Sequence, residues 1–151
     1  MSEIVHKHSS GGVLIKDGKV LLIHWAQPRN SFDFPKGTIE DDETSHEACI
    51  REVLEETGYL TKIVAPLGQT HYEYDWIDKK HHKKTVDYYL LESLDDTILE
   101  PAREEHETFE NIWLTPEEAK KKLTFEVDQE ILSKALIYKE GTSDLIQSND
   151  D

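Results

Sequence analysis

Between Thr44 and Gly58 the chain carries start and stop signals for one helix. Thr44 and Glu47 have the spacing of a capping box, and Gly58 supplies the left-handed residue that follows a helix end. Ala48, Cys49, Val53 and Leu54 give this helix an apolar side, which must be covered by a sheet or by other helices. Its polar side carries Glu52, Glu55 and Glu56. At about 100° per residue, Glu55 and Glu56 fall roughly 60° and 40° to either side of Glu52, so three carboxylates share one face. Glu52 and Glu56 repel at i,i+4 by about a few tenths of a kcal/mol unless something neutralises them, and a divalent cation would. Glu is also a good helix former, and Arg51 makes ordinary i,i+4 pairs with Glu47 and Glu55, so a solvated acidic face is an equally physical reading of the cluster alone.

The flanking sequence supplies sheet. GGVLIK and KVLLIHW are apolar runs separated by Asp17-Gly18, the two-residue signal for a type I′ hairpin. Residues 26 to 43 are rich in turn formers and read as loop around a short extended piece. TKIVAPLGQTHYEY and KTVDYYLLE read as strands joined through the polar segment Asp78 to Lys84, and a short strand is expected at Ile112, Trp113 and Leu114. Thr115-Pro116-Glu117-Glu118 starts a second helix, with Pro116 at its first position. Ile131, Leu132, Ala135 and Leu136 mark a last helix over about Asp128 to Lys139. The fold class is therefore α/β, a sheet between helices: a single domain over residues 1–140, then an acidic, loose tail over 141–151.

Composition narrows the function. With 32 acidic against 17 basic side chains the formal net charge is -15, which repels a nucleic-acid duplex or an anionic membrane. No run approaches the roughly 18 apolar residues of a membrane span, and MSEIVHKHSS lacks a signal-peptide core, so a cytoplasmic location is expected. Cys49 is the single cysteine; with no thiolate partner it reads as part of the core. His46-Glu47 opens like a zinc-protease motif, but Ile50 occupies the place of the second histidine.

The segment Gly37 to Tyr59 reads G-x5-E-x7-R-E-V-L-E-E-T-G-Y. It resembles the Nudix box, a loop-helix-loop pattern, with every fixed position present; Tyr59 departs from the usual aliphatic residue at a packing position. The opening hairpin, Phe34-Pro35-Lys36-Gly37 and Trp113-Leu114-Thr115-Pro116-Glu117-Glu118-Ala119 extend the likeness over most of residues 9 to 140. The resemblance implies an α/β/α sandwich with a mixed sheet, and hydrolysis of a nucleoside diphosphate linked to another group, with Mg²⁺ or Mn²⁺ as cofactor. It implies metal binding by Glu52, Glu55, Glu56 and the Gly37 carbonyl, and a supporting salt bridge between Glu43 and Arg51. Hard cations do favour such oxygen donors. Related enzymes take the water's proton on a box glutamate or on one from a later loop; Glu107, six residues before Trp113, is the later candidate here, with a solvated loop acid as its other reading.

Lys36, beside the box glycine, and Lys84, in the basic run 79–84, are expected to meet substrate phosphates, or to be exposed lysines. Trp25, Trp76, Tyr72, Tyr74, Tyr88 and Tyr89 offer faces for a base; alternation sends Tyr88 and Tyr89 to opposite faces, and Tyr88 is the residue assigned to the substrate. FPKGTIE and KTVDYYL look most like the branch acting on diadenosine polyphosphates, which favours a small nucleotide partner cleaved to ATP and AMP. The same likeness extends to diphosphoinositol polyphosphate and RNA 5′-pyrophosphate hydrolases. A basic run lining the pocket would favour the inositol phosphate, and an aromatic clamp the nucleotide. A Nudix-fold sensor that binds without turnover is a rival of another class, and the intact glutamates count against it.

Overall fold

The computed structural model describes residues 3–100 and 108–149. Asp17 and Gly18 both take positive φ, 51° and 75°, as a type I′ turn demands. They fold β1 (Ile4–Lys16) back on β2 (Lys19–Trp25) with Ile15 opposite Val20. The loop that follows contains two short strands, β3 (Phe32–Asp33) on β2 and β4 (Lys36–Thr38) on β1. Helix α1 (Ser45–Thr57) has the expected ends: the Thr44 hydroxyl accepts from the Glu47 amide, the Glu47 side chain answers at the Thr44 amide, and Gly58 stands at φ 84°. Beyond it come β5 (Tyr59–Asp75), β6 (His81–Ile98), β7 (Phe109–Leu114), α2 (Pro116–Lys122) and α3 (Glu126–Asn149).

The strands form one seven-stranded mixed sheet in the order β3-β2-β1-β6-β5, with β4 also on β1 and β7 also on β2. β1 is its spine. Ile4 to Leu14 run parallel to His81 to Leu91 of β6, while Ser9 to Gly11 pair antiparallel with β4. Neighbouring residues sort to opposite faces, as a two-residue period requires. Val13, Leu22, Tyr88 and Leu90 join Ala119 of α2 and Ile131, Leu132 and Ala135 of α3 in one core. Leu14, Leu21, Tyr89 and Leu91 join Cys49 and Val53 of α1 in the other. The result is the expected sandwich, with α1 on one face of the sheet and α2 and α3 on the other.

Two expectations change. The sequence predicts a connecting segment for the basic run, but His81 to Lys84 are already strand in β6, fixed by the parallel partner β1 that local sequence does not reveal. Helix α3 begins at Glu126 and continues to Asn149, through the segment read as a loose tail. Gly141, the first residue of that segment, is not among the described glycines of positive φ, so its backbone does not terminate the helix.

Candidate active site

Ala48, Cys49 and Val53 hold α1 on the sheet, and the Cys49 thiol donates to the Gly11 carbonyl at 3.3 Å. Burial pushes that thiol up to about 12, so it is inert at neutral pH. With this side fixed, the glutamate side of α1 meets β4. The fit at Gly37 is close: a Cβ there would lie 2.0 Å from the Glu52 carboxyl carbon. Only a residue without a side chain admits the carboxylate against the backbone in that position. One turn on, Glu56 Oε2 accepts the Lys36 amide at 3.3 Å.

Arg51 organises the rest. Its Nε and Nη2 donate to Glu43 Oε2 and Oε1 at 2.6 and 2.8 Å, and Nη2 also reaches the Thr38 carbonyl at 3.0 Å. Nη1 donates to Glu52 Oε1 at 2.8 Å and Glu55 Oε2 at 3.2 Å. A planar fork is suited to such a set, and a lysine is not. The hydrogen bonds from Arg51 hold the Glu43 carboxyl down to about 2, and those of Glu43 raise the Arg51 guanidinium in turn. Glu52 goes the other way: burial pushes its carboxyl up, and Arg51 opposes this only in part. A half-buried carboxylate short of positive charge is what a bound cation would stabilise.

Carboxylate oxygens, as at Glu52, Glu55 and Glu56, and a backbone carbonyl, as at Gly37, are the donor type that a hard divalent cation favours. Among the described residues, however, no group of three or more His, Cys, Asp or Glu side chains is placed to hold a metal ion. A cation held by fewer side chains would take water and substrate phosphates as its remaining ligands, the arrangement Mg²⁺ favours.

A cleft of about 950 Å³ opens beside this face. Four cations line it: Lys7, Arg29, Lys36 and Lys84. Burial, and then repulsion from Lys36, Lys7 and Arg29, pull the Lys84 ammonium down to about 8, so the four sense one another in one field. Its aromatic lining is Tyr72 and Tyr74, alternate residues of β5, Trp76 just beyond the end of that strand, and Phe125 just before α3, edge-on to Tyr72 at 5.3 Å. His82 stacks flat on Tyr74 at 5.1 Å.

Both expected phosphate ligands, Lys36 and Lys84, thus line one cleft. Tyr88 does not: it is 1% exposed, edge-on to Phe34 in the core, with its hydroxyl donating to the buried Asp128 at 3.4 Å. The strand neighbours of the cleft on β5 present their aromatic faces instead. Of the basic run only His82 and Lys84 line the cleft, whereas Lys80 pairs with Glu3, and His81 and Lys83 with Glu73. Glu107 lies outside the described residues. Sequence reasoning missed Lys7, Arg29 and Phe125. The alternation Tyr72-Tyr74-Trp76 was a readable sign of a common face, but a single arginine in a loop carries no such signal.

A family model described as NUDIX domain matches residues 6–135. A mutator protein of Mycobacterium tuberculosis is 32% identical over 130 residues, covering 80% of this chain and 51% of its own length. An ADP-ribose pyrophosphatase of Methanocaldococcus jannaschii is 41% identical over 59 residues, covering 38% of this chain and 35% of its own. The chain thus spans about half the length, or less, of these curated relatives. Among solved structures, a C. elegans Ap4A hydrolase binary complex superposes with a TM-score of 0.70 at 22% identity, over 89% of this chain and 98% of that one.

Proposed function

The chain belongs to the NUDIX domain family, and from that premise we propose that it hydrolyses a phosphoanhydride bond in a nucleoside diphosphate-linked substrate, with Mg²⁺ or Mn²⁺ bound at Glu52, Glu55, Glu56 and the Gly37 carbonyl. The observation that carries this reading is the continuity of the carboxylate face with the cationic, aromatic cleft: the amide of Lys36, which lines the cleft, donates to Glu56 on the carboxylate face. A bound divalent ion supplies charge neutralisation at phosphoryl oxygens and a water of lowered pKa. Lys36 and Lys84 hold phosphate oxygens as point charges and draw the polyphosphate toward the glutamates. A box glutamate or Glu107 takes the proton of the attacking water.

The substrate this cleft suits best is a bis(5′-nucleosyl) tetraphosphate, cleaved to ATP and AMP. Tyr72, Tyr74, Trp76 and Phe125 offer planar apolar faces to a base, which a cyclitol polyphosphate has no use for. Three residues of the basic run that would have favoured an inositol phosphate, Lys80, His81 and Lys83, are turned into ion pairs with Glu3 and Glu73 instead. The test is chromatography of products after incubation with magnesium and diadenosine tetraphosphate, ADP-ribose, nucleoside triphosphates, diphosphoinositol polyphosphate or triphosphorylated RNA. ATP and AMP from the first are expected. Turnover of another compound alone would replace the substrate, and tight nucleotide binding with no turnover would favour the sensor.

A further inference from the structure

We propose that Arg29 reads the length of the phosphate chain, binding phosphates beyond the second of a nucleotide polyphosphate; the proposal rests on the reading of the cleft as a nucleotide site. Arg29 lies in the loop between β2 and β3 and lines the cleft. Its guanidinium stacks on Trp25 at 4.1 Å, Nε donates to Ser31 Oγ at 3.0 Å, and Nη2 donates to Asp33 Oδ2 at 3.2 Å. Asp33 is itself 2% exposed and also accepts from Ser31 at 3.1 Å. The head group is thus set in one orientation before any ligand arrives, so little rotamer entropy remains to be lost on binding. Among the described residues Nη1 has no hydrogen-bond partner, and the side chain is 53% exposed.

The charge count gives this placement its meaning. Lys36 and Lys84 are half-buried, and Lys84 lies in the field of Glu56, so these two are the cations nearest the carboxylate face. Lys7 and Arg29 are exposed and extend the positive field outward on a protein of net charge -15. A diphosphate seated on Lys36 and Lys84 would leave Lys7 and Nη1 of Arg29 uncontacted, whereas each further phosphate brings about one more negative charge to meet them. Of the two outer cations, Arg29 is the one held by a stack and two hydrogen bonds.

Calorimetric titration of the intact chain with ADP and with adenosine 5′-tetraphosphate, metal chelated so that no turnover occurs, tests the proposal. The tetraphosphate should bind about tenfold or more tighter than ADP. Arg29→Ala should remove most of that preference while leaving ADP affinity within about twofold. Arg29→Gln, whose amide can take the place of Nε against Ser31, should behave like Arg29→Ala; recovery of the preference in Arg29→Gln would make the role one of holding the loop and overturn the proposal. Equal weakening of both ligands by Arg29→Ala, no weakening of either, or a natural chain that does not distinguish them would also overturn it. An Arg29-dependent preference in a protein that hydrolyses no nucleotide in magnesium would remove the hydrolase reading and leave Arg29 standing.

Discussion

Gly37 and Glu52 stand in a relation that a single methyl group would break. In Gly37→Ala the new Cβ would fall 2.0 Å from the Glu52 carboxyl carbon, and the side chain, being the flexible partner, would swing away. Turnover should drop about a hundredfold or more with the melting temperature nearly unchanged, read by steady-state kinetics beside circular dichroism. Lys84 makes a different prediction. Its ammonium, drawn down to about 8 by burial and by the cations around it, is charged below that pH and neutral above, so its attraction for phosphate fades as pH rises through about 8. The advantage in kcat/KM of the natural chain over Lys84→Gln should therefore shrink between about pH 7 and 9; a constant ratio would detach Lys84 from substrate binding. Residues such as Glu52 and Glu56 could be read from sequence because a helix fixes their mutual angles. Tyr88 could not, because alternation says that Tyr88 and Tyr89 face apart without saying which surface the cleft occupies.

At the scale of elements, one arginine joins three pieces of chain. Arg51 binds β4 at Thr38, the following loop at Glu43, and its own helix at Glu52 and Glu55. Arg51→Lys keeps the charge and loses the fork, so it should lower unfolding free energy by about 1–3 kcal/mol in urea and depress turnover at the same time. The Arg51–Glu43 pair also sets an acid limit. Glu43 has its carboxyl lowered to about 2 in the fold, so its contribution is complete above the usual carboxylate range and is lost as pH falls toward 2. Helix boundaries were legible where side chains write them, as at Thr44, Gly58 and Thr115. The start of β6 and the end of α3 were not, since a strand partner distant in sequence and a helical Gly141 leave no local mark.

For the molecule as a whole, the sheet separates two cores, and α1 is the only described helix in the second of them. A cation held between α1 and β4 should therefore stabilise the entire fold. Magnesium is expected to raise the melting temperature in proportion to the logarithm of its concentration above the dissociation constant, and to do so far less in Glu52→Gln. An equal rise in both would place the ion elsewhere. Sandwich architecture was legible from the alternation of strand and helix patterns, but strand order was not, because the parallel register of β1 with β6 is a contact between distant stretches of chain.

That register bears on how the protein is made. A ribosome releases Ile4 long before His81, its opposite number, so the nascent β1 can acquire β2 and β4 while its other edge stays open. Contacts of such separation form late and slowly. Until β6 emerges, Val13, Leu14 and the apolar side of α1 have an incomplete surface to cover them, and an unpaired strand edge is a template for neighbouring chains. The helix that carries the glutamates is complete early in synthesis, but its seat is finished only when the second half of the chain arrives.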